Sequence, residues 1–248
     1  MLDSFRTARG IARSLRTYYG DRNHGAAMDR FYSRFITPGD LVFDVGAHVG
    51  DRIACFRRLG ARVVAVEPQP PLVKVLRLLY GLRSGVAIEP VAVGQAPGEI
   101  ELRINVDNPT VSTASAQFVS AAKGAAGWDT QAWTKIARVR VTTLDALIAR
   151  HGRPAFIKID VEGFEAEALA GLTQPVKALS FEFTTIQRDV AQACIDRCVA
   201  LGYGRFNAAL GESQAFAHAD WIDGATIARW VADLPHAANS GDIYASMA

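Results

Sequence analysis

Nowhere does this chain hold the roughly 20 consecutive apolar residues that a membrane-spanning helix needs, which argues against a helical membrane protein. Its basic N-terminus lacks the continuous apolar centre of a secretory signal. Cysteine is scarce, and Cys55, Cys194 and Cys198 are too few for a disulfide framework. Cys194 and Cys198 stand one helical turn apart, with no second Cys or His pair to complete a metal site. They read as core thiols of a reducing compartment, and the protein as cytoplasmic. His151, His218 and His236 lack ligand spacing, so no metal is expected. The formal charge of +2 is too near neutral for a nucleic-acid binder. The dinucleotide fingerprint Gly-x-Gly-x-x-Gly is also missing. What the chain does have is apolar bulk: half of its 248 residues are hydrophobic, enough for one large α/β domain.

The most informative stretch is Val42-Phe-Asp-Val-Gly-Ala-His-Val-Gly50. An apolar strand ends at Asp44, and Gly46 and Gly50 frame a turn into a helix carrying Ile53, Phe56 and Leu59. Such a turn lets the backbone approach a ligand closely and offers it unpaired helix N–H groups. An acidic strand end suits a cationic ligand better than a pyrophosphate, and the ammonium and sulfonium of S-adenosylmethionine fit that description. A second apolar strand, Arg62-Val-Val-Ala-Val-Glu67-Pro68, ends in a carboxylate about 20 residues later. In a doubly wound sheet that position lies beside the first glycine turn, where Glu67 can accept both hydroxyls of a ribose.

The first 35 residues stand apart. Phe5, Ala8, Ala12, Leu15 and Tyr19 form one helical stripe, with Arg6, Arg9, Arg13 and Arg16 beside it. Three roles fit: peripheral contact with an anionic membrane, the look of a transit peptide, or a packing helix over a sheet edge with its arginines solvated. The packing helix is the expectation, as an extension over 1–36 ahead of one domain at 37–248. From Thr37-Pro-Gly-Asp40 onward strand and helix alternate, the mark of a mostly parallel sheet with covered faces. Strands are expected at about 41–45, 62–67, 86–93, 138–142, 155–161, 178–184, 203–208 and 242–247, with an added one over 99–106. Helices are expected at 50–59, 70–80, 144–150, 164–171 and 188–201. Residues 107–136 interrupt this rhythm as a functional or mobile insertion, and 210–240, with Trp221 and Trp230, is expected to form a second cap.

Charged residues in apolar strands mark the chemistry. Phe156-Ile-Lys158-Ile-Asp160-Val-Glu162-Gly163 and Phe181-Glu182-Phe183 place them where lone charges cost too much to persist. Lys158 and Asp160 share a strand face by alternation. A buried Lys158–Glu182 pair between neighbouring strands is one expectation. Asp160, at the carboxyl end of its strand, is the first candidate for a general base, with Glu182 and Glu162 behind it. Asn108, Ser112 and Thr113 in the insertion offer polar contacts to a substrate, or only satisfied turns. His48, inside the glycine loop, could act as a base or bind the loop backbone.

These landmarks, with Pro90-Val-Ala-Val-Gly94, Thr143-Leu-Asp145 and Lys158-Ile-Asp-Val-Glu-Gly-Phe-Glu165, run in the order seen in the FkbM-type S-adenosylmethionine-dependent methyltransferases, which the chain resembles over about 40–185. The resemblance implies a Rossmann-like seven-stranded sheet of order 3-2-1-4-5-7-6 with strand seven antiparallel. It implies O-methylation of a sugar, glycan or polyketide-type hydroxyl. Asp44, Gly46, Ala47, His48 and Gly50 would hold the methionine part, Glu67 the ribose, and Ala92 and Val93 would lie against adenine. His48 stands where the family usually has Asn. Two rivals are a nicotinamide-dependent oxidoreductase on a similar sheet and a cofactor-binding scaffold without catalysis.

Overall fold

The first strand, β1 (Leu41–Val45), is buried along its whole length and alternates its side chains between two cores. Val42 packs into one cluster and Phe43 and Val45 into the other, so helices must cover both faces of the sheet. The computed structural model describes residues 2–247. After β1 come β2 (Arg62–Val66), β3 (Val86–Glu89), β4 (Ala92–Val93), β5 (Gly98–Ile104) and β6 (Lys135–Thr142). They are followed by β7 (Phe156–Ile159), β8 (Ala178–Thr184), β9 (Arg205–Leu210) and β10 (Ser240–Ser246). Seven of these make the main sheet, in the order β3-β2-β1-β7-β8-β10-β9. Counted within that sheet the order is 3-2-1-4-5-7-6, as expected, and β10 runs antiparallel to both β8 and β9.

Helices α2 (Arg22–Tyr32), α3 (Asp51–Arg58) and α4 (Pro70–Tyr80) cover one face through Phe31, Tyr32, Phe56 and Leu76. Helices α6 (Leu144–His151), α7 (Glu165–Ala170), α8 (Arg188–Ala200) and α9 (Gly224–Asp233) cover the other. Cys194 and Cys198 are buried in that second core as free thiols, and Cys55 in the first. No helix among the described residues is long and apolar enough to cross a membrane.

Four expectations change. The span expected as one strand over 86–93 divides: β3 stays on the edge of the main sheet, while β4 pairs with β6 in a separate three-stranded sheet, β4-β6-β5. The chain leaves the main sheet at Pro90, which has no N–H to continue a ladder. The insertion is built rather than loose. Helix α5 (Ala116–Ala122) brings Phe118 against Trp128 and Trp133, and the indole N–H of Trp133 donates to the Val111 carbonyl at 2.7 Å. The segment after β9 caps the cleft only in part: Glu212 lines it, whereas the two tryptophans pack elsewhere. Trp230 packs on Phe183 and Trp221 on Phe35 and Phe216.

The fourth change concerns α1 (Leu2–Tyr19). It packs through Ile11, Leu15 and Tyr18 against Leu72 and Val75 of α4. The stripe expected to pack is mostly outside: Phe5 is 70% exposed, and Ala8 and Ala12 are exposed with it. Of the arginines, Arg9, Arg13 and Arg16 are exposed as expected, but the Arg6 guanidinium grips Asp107 of the insertion, with Nε–Oδ1 at 3.0 Å.

The tightest backbone constraint lies where β1 meets β7. Gly46 has φ +89°, and a Cβ there would stand 1.7 Å from the Asp160 carbonyl oxygen. Gly46→Ala is therefore expected to lower stability by about 3 kcal/mol or more, because backbone on both sides would have to move. Gly39→Ala, at φ +92° with nothing within 4 Å, should lose only the left-handed penalty of about 1–2 kcal/mol. Urea unfolding of the two variants checks both values, and similar losses would contradict the steric account.

Candidate active site

The carboxyl ends of β1, β2 and β7 open onto a cleft lined by Asp44, Glu67 and Asp160. This is the crevice where strand order reverses, with β2 on one side of β1 and β7 on the other. Its floor is the loop after β1. The Gly46 and Ala47 N–H groups both donate to the Val66 carbonyl, at 2.9 and 3.0 Å, which fastens the loop to β2. His48 takes φ +48° and donates its backbone N–H to Glu67 Oε2 at 2.9 Å, while the Gln69 N–H donates to Oε1 at 2.8 Å. Glu67 is thus immobilised, yet each carboxylate oxygen keeps a further acceptor direction toward the cleft. Burial pushes its carboxyl up to about 7 despite those two N–H groups.

Asp44 is the most exacting residue of the site. It is 2% exposed and lines the cleft, and its Oδ2 has no hydrogen-bond partner. Burial raises its carboxyl to about 7, and the Lys158 ammonium offsets only part of that rise. A buried acceptor without a donor is costly, so this position fits a ligand that brings a cationic donor. The adjoining wall is apolar where Val91, Ala92 and Val93 line the cleft, and it fits a flat aromatic base beside the Glu67 carboxylate. Asp44, Glu67 and this apolar wall line one cleft. The donor set fits S-adenosylmethionine.

At the β7 end three carboxylates converge. Oxygens of Asp160, Glu162 and Glu182 lie within 4.8 Å of one another, close enough for a shared proton or a divalent cation. Their environments separate them. Burial works to raise Asp160, but the Lys158 ammonium, 2.6 Å from Oδ2, outweighs it and holds the carboxyl below its usual range. Burial and the neighbouring Asp160 charge push Glu162 and Glu182 well above theirs. The expected Lys158–Glu182 pair does not form. Lys158 is level with Ser180, and Asp242, which lies opposite Glu182 on β10, stands 3.8 Å from the ammonium as its second partner. Glu182 borders a separate shallow recess with Glu165 and Gln187 and does not line the main cleft.

Of the insertion residues, Ser112 lines the cleft. Thr113 is fully buried and donates to the Glu162 carbonyl at 2.6 Å, and the Asn108 side chain donates to Gln131; neither borders the cleft. Gly50 does not border it either: at φ +87° it starts α3 and packs under Tyr80 and Leu76. Sequence reasoning missed Tyr18, Asp51, Arg52, Thr110 and Glu212, which all line the cleft. Tyr18 comes from α1 and stands edge-on to His48, with ring centroids 5.8 Å apart. Arg52 makes a two-pronged bond to Glu212 at 2.9 and 2.7 Å and also holds Asp51. Burial lowers the His48 imidazole, so it is neutral, and its Nε2 lies 3.4 Å from Thr110 Oγ1. None of the five carried a local sequence signal, since even Arg52 is one of four charged residues among the eight of α3.

A sequence profile of the FkbM methyltransferase domain matches residues 44–218, from the Asp44 strand end past Glu212. The chain belongs to the FkbM methyltransferase family. It is an S-adenosylmethionine-dependent methyltransferase, which sets aside the nicotinamide-dependent reading. No curated protein sequence matches it. Solved structures similar to this FkbM methyltransferase are distant. A TehB-like SAM-dependent methyltransferase from Corynebacterium glutamicum has TM-score 0.48 and 11% identity over 95% of this chain and 94% of its own. The precorrin-6Y C5,15-methyltransferase of Geobacter metallireducens has TM-score 0.43 and 12% identity over 89% and 87%. Fibrillarin of Aeropyrum pernix, solved with natively bound S-adenosyl-L-methionine, has TM-score 0.44 and 9% identity over 84% and 67%.

Glu67→Ala is expected to weaken S-adenosylhomocysteine binding by about 1.5–3 kcal/mol, read by calorimetry on a variant that keeps its fold. Unchanged affinity would remove Glu67 from the cofactor site. Asp44 sets a pH dependence. Its carboxyl keeps a proton to about 7 in the folded chain, against 3.8 when unperturbed. The folded state then binds more protons between those values, so this residue lowers the stability of the ligand-free protein as pH rises through that window. Asp44→Asn should raise the ligand-free melting temperature more at pH 8 than at pH 5, while weakening S-adenosylmethionine binding by about tenfold or more. An equal shift at both pH values would show that Asp44 does not hold that proton.

Proposed function

We propose that this methyltransferase O-methylates a hydroxyl of a sugar, glycan or polyketide-type acceptor, with residues 37–248 as the methyltransferase domain and residues 1–36 as an extension that lends Tyr18. The observation that carries the reading is the division among the three converging carboxylates. Asp160 alone is kept ionised, and it is the one among them whose side chain is a third exposed toward the cleft. An ionised carboxylate held by a buried lysine is a fixed acceptor for a hydroxyl proton. Asp44, Gly46, Ala47 and His48 would hold the methionine part, Glu67 the ribose, and Ala92 and Val93 the adenine. S-adenosylmethionine, when bound, supplies a methyl group on a sulfonium. Asp160 takes the hydroxyl proton as the oxygen–carbon bond forms, and Lys158 keeps the carboxylate charged and aimed. Glu162 and Glu182 retain their protons and act as neutral donors beside it. Ser112, Thr110 and Tyr18 supply uncharged polar contacts, and the surplus of acids over bases around the cleft disfavours anionic acceptors.

Methyl transfer to a panel of neutral glycans and polyketide-type alcohols, followed with a carbon-13 methyl label, tests the acceptor class. Asp160→Asn is expected to lower turnover by about 10²–10⁴-fold with little change in S-adenosylhomocysteine affinity. Parallel loss of cofactor affinity would make Asp160 a ligand for the methionine amino group instead. Cofactor binding without transfer to any hydroxyl would favour the scaffold reading.

A further inference from the structure

Seven large apolar side chains are markedly exposed among the described residues, and their distribution is uneven. Phe5 and Tyr19 belong to α1, while Leu78, Leu79 and Leu82 lie on the last turn of α4 and just beyond it. Leu78 is 85% exposed and Leu82 fully so. The two helices are not independent surfaces. Ile11, Leu15 and Tyr18 of α1 pack against Leu72 and Val75 of α4, and the Tyr19 and Tyr80 hydroxyls are 2.8 Å apart at the seam. Their outward sides therefore adjoin.

The charge on these two segments is one-signed. Residues 4–20 contain no Asp or Glu but carry Arg6, Arg9, Arg13 and Arg16. Residues 70–88 also contain no acid and carry Lys74, Arg77 and Arg83. Elsewhere acids outnumber bases, since the whole chain is only +2. Arg9, Arg13, Arg16, Lys74, Arg77 and Arg83 are all exposed. One acid, Asp107, pairs with Arg6 and Arg9 of α1.

We propose that the joined outer face of α1 and α4 is a docking surface for an anionic lipid bilayer, with Leu78, Leu82 and Phe5 entering the headgroup–acyl boundary and the flanking cations resting on lipid phosphates. Exposed leucines ringed by arginine and lysine match the chemistry of such an interface, where apolar insertion and attraction to anionic headgroups add. The same composition disfavours a second copy of the chain, because a two-fold contact would press this cationic face against itself. It also disfavours a nucleic acid, which has no use for exposed leucines. The face lies on the far side of α1 from Tyr18, so docking leaves the cleft wall in place and does not depend on the identity of the acceptor.

Flotation of the full chain with phosphatidylcholine vesicles, with and without phosphatidylglycerol, tests the assignment. Binding is expected only when the anionic lipid is present, and it should fall as salt is raised. The pair Leu78→Ser/Leu82→Ser and the pair Arg13→Glu/Arg16→Glu should each lower the partition coefficient by about tenfold or more. Both should keep the wild-type melting temperature and S-adenosylhomocysteine affinity, since none of these four side chains touches the core or the cleft. No binding to either vesicle, equal binding to both, or binding that both variants retain would overturn the proposal. A dimer seen by analytical ultracentrifugation and abolished by the leucine pair, without vesicle binding, would give the face to a second copy instead.

Discussion

One buried ammonium organises the functional end of the sheet. Lys158 is almost wholly buried in β7, in the middle of the parallel strands, where an uncompensated charge would not persist. It reaches forward to Asp160 and across β8 to Asp242 on the inserted antiparallel strand. That reach is open because Ser180, level with Lys158, is small. The pairing couples three strands and fixes which carboxylate at the strand ends is ionised. With Asp160 charged and held, the nearby Glu162 and Glu182 are driven toward their neutral forms by burial and by that same charge.

The other half of the site is also an arrangement of buried carboxyls, solved differently. Glu67 is anchored by two backbone N–H groups, one from the loop and one from its own turn, so hydrogen bonds to the main chain set its position. Asp44 has no such anchor and stays costly until a cationic partner arrives. Under the proposed cofactor role, stability given up at Asp44 is linked to affinity for the cofactor, a trade common where binding sites are built into a fold's interior. Loop, β2 end and β7 end are brought together by the close approach of Gly46 to the Asp160 carbonyl, which only a residue without a Cβ permits.

The cleft is completed by segments far apart in the chain. Tyr18 comes from α1, Thr110 and Ser112 from the insertion, and Glu212 from beyond β9 through its bond to Arg52. The arginine–aspartate contact between α1 and residue 107 ties two of these segments to each other over the glycine loop. One side of the cleft is therefore a product of packing between insertions, whereas the other is built on strand ends.

That division matches what could be read directly. Strand–helix alternation, the acidic ends at Asp44 and Glu67, and the glycine turn are local patterns, and local patterns set which face of a strand a residue takes and where it stops. They led to the sheet order through the family resemblance, and the structure has that order. Parity along a strand does not name the neighbour across it, so Lys158 was matched with Glu182 when β10 supplied Asp242. Likewise α1 has two stripes able to pack, and the choice of Ile11, Leu15 and Tyr18 over Phe5, Ala8 and Ala12 depended on the shape of α4. The hydroxyls of the insertion were legible as a set, but only the bond from Thr113 to the Glu162 carbonyl decided that it turns inward while Ser112 faces the cleft. The sequence by itself determined the acidic strand ends at Asp44 and Glu67, because each is a short apolar run closed by one polar residue. Tertiary structure decided the distant partners of the charges, Asp242 for Lys158, Glu212 for Arg52 and Asp107 for Arg6, because those contacts join residues that the chain alone leaves far apart.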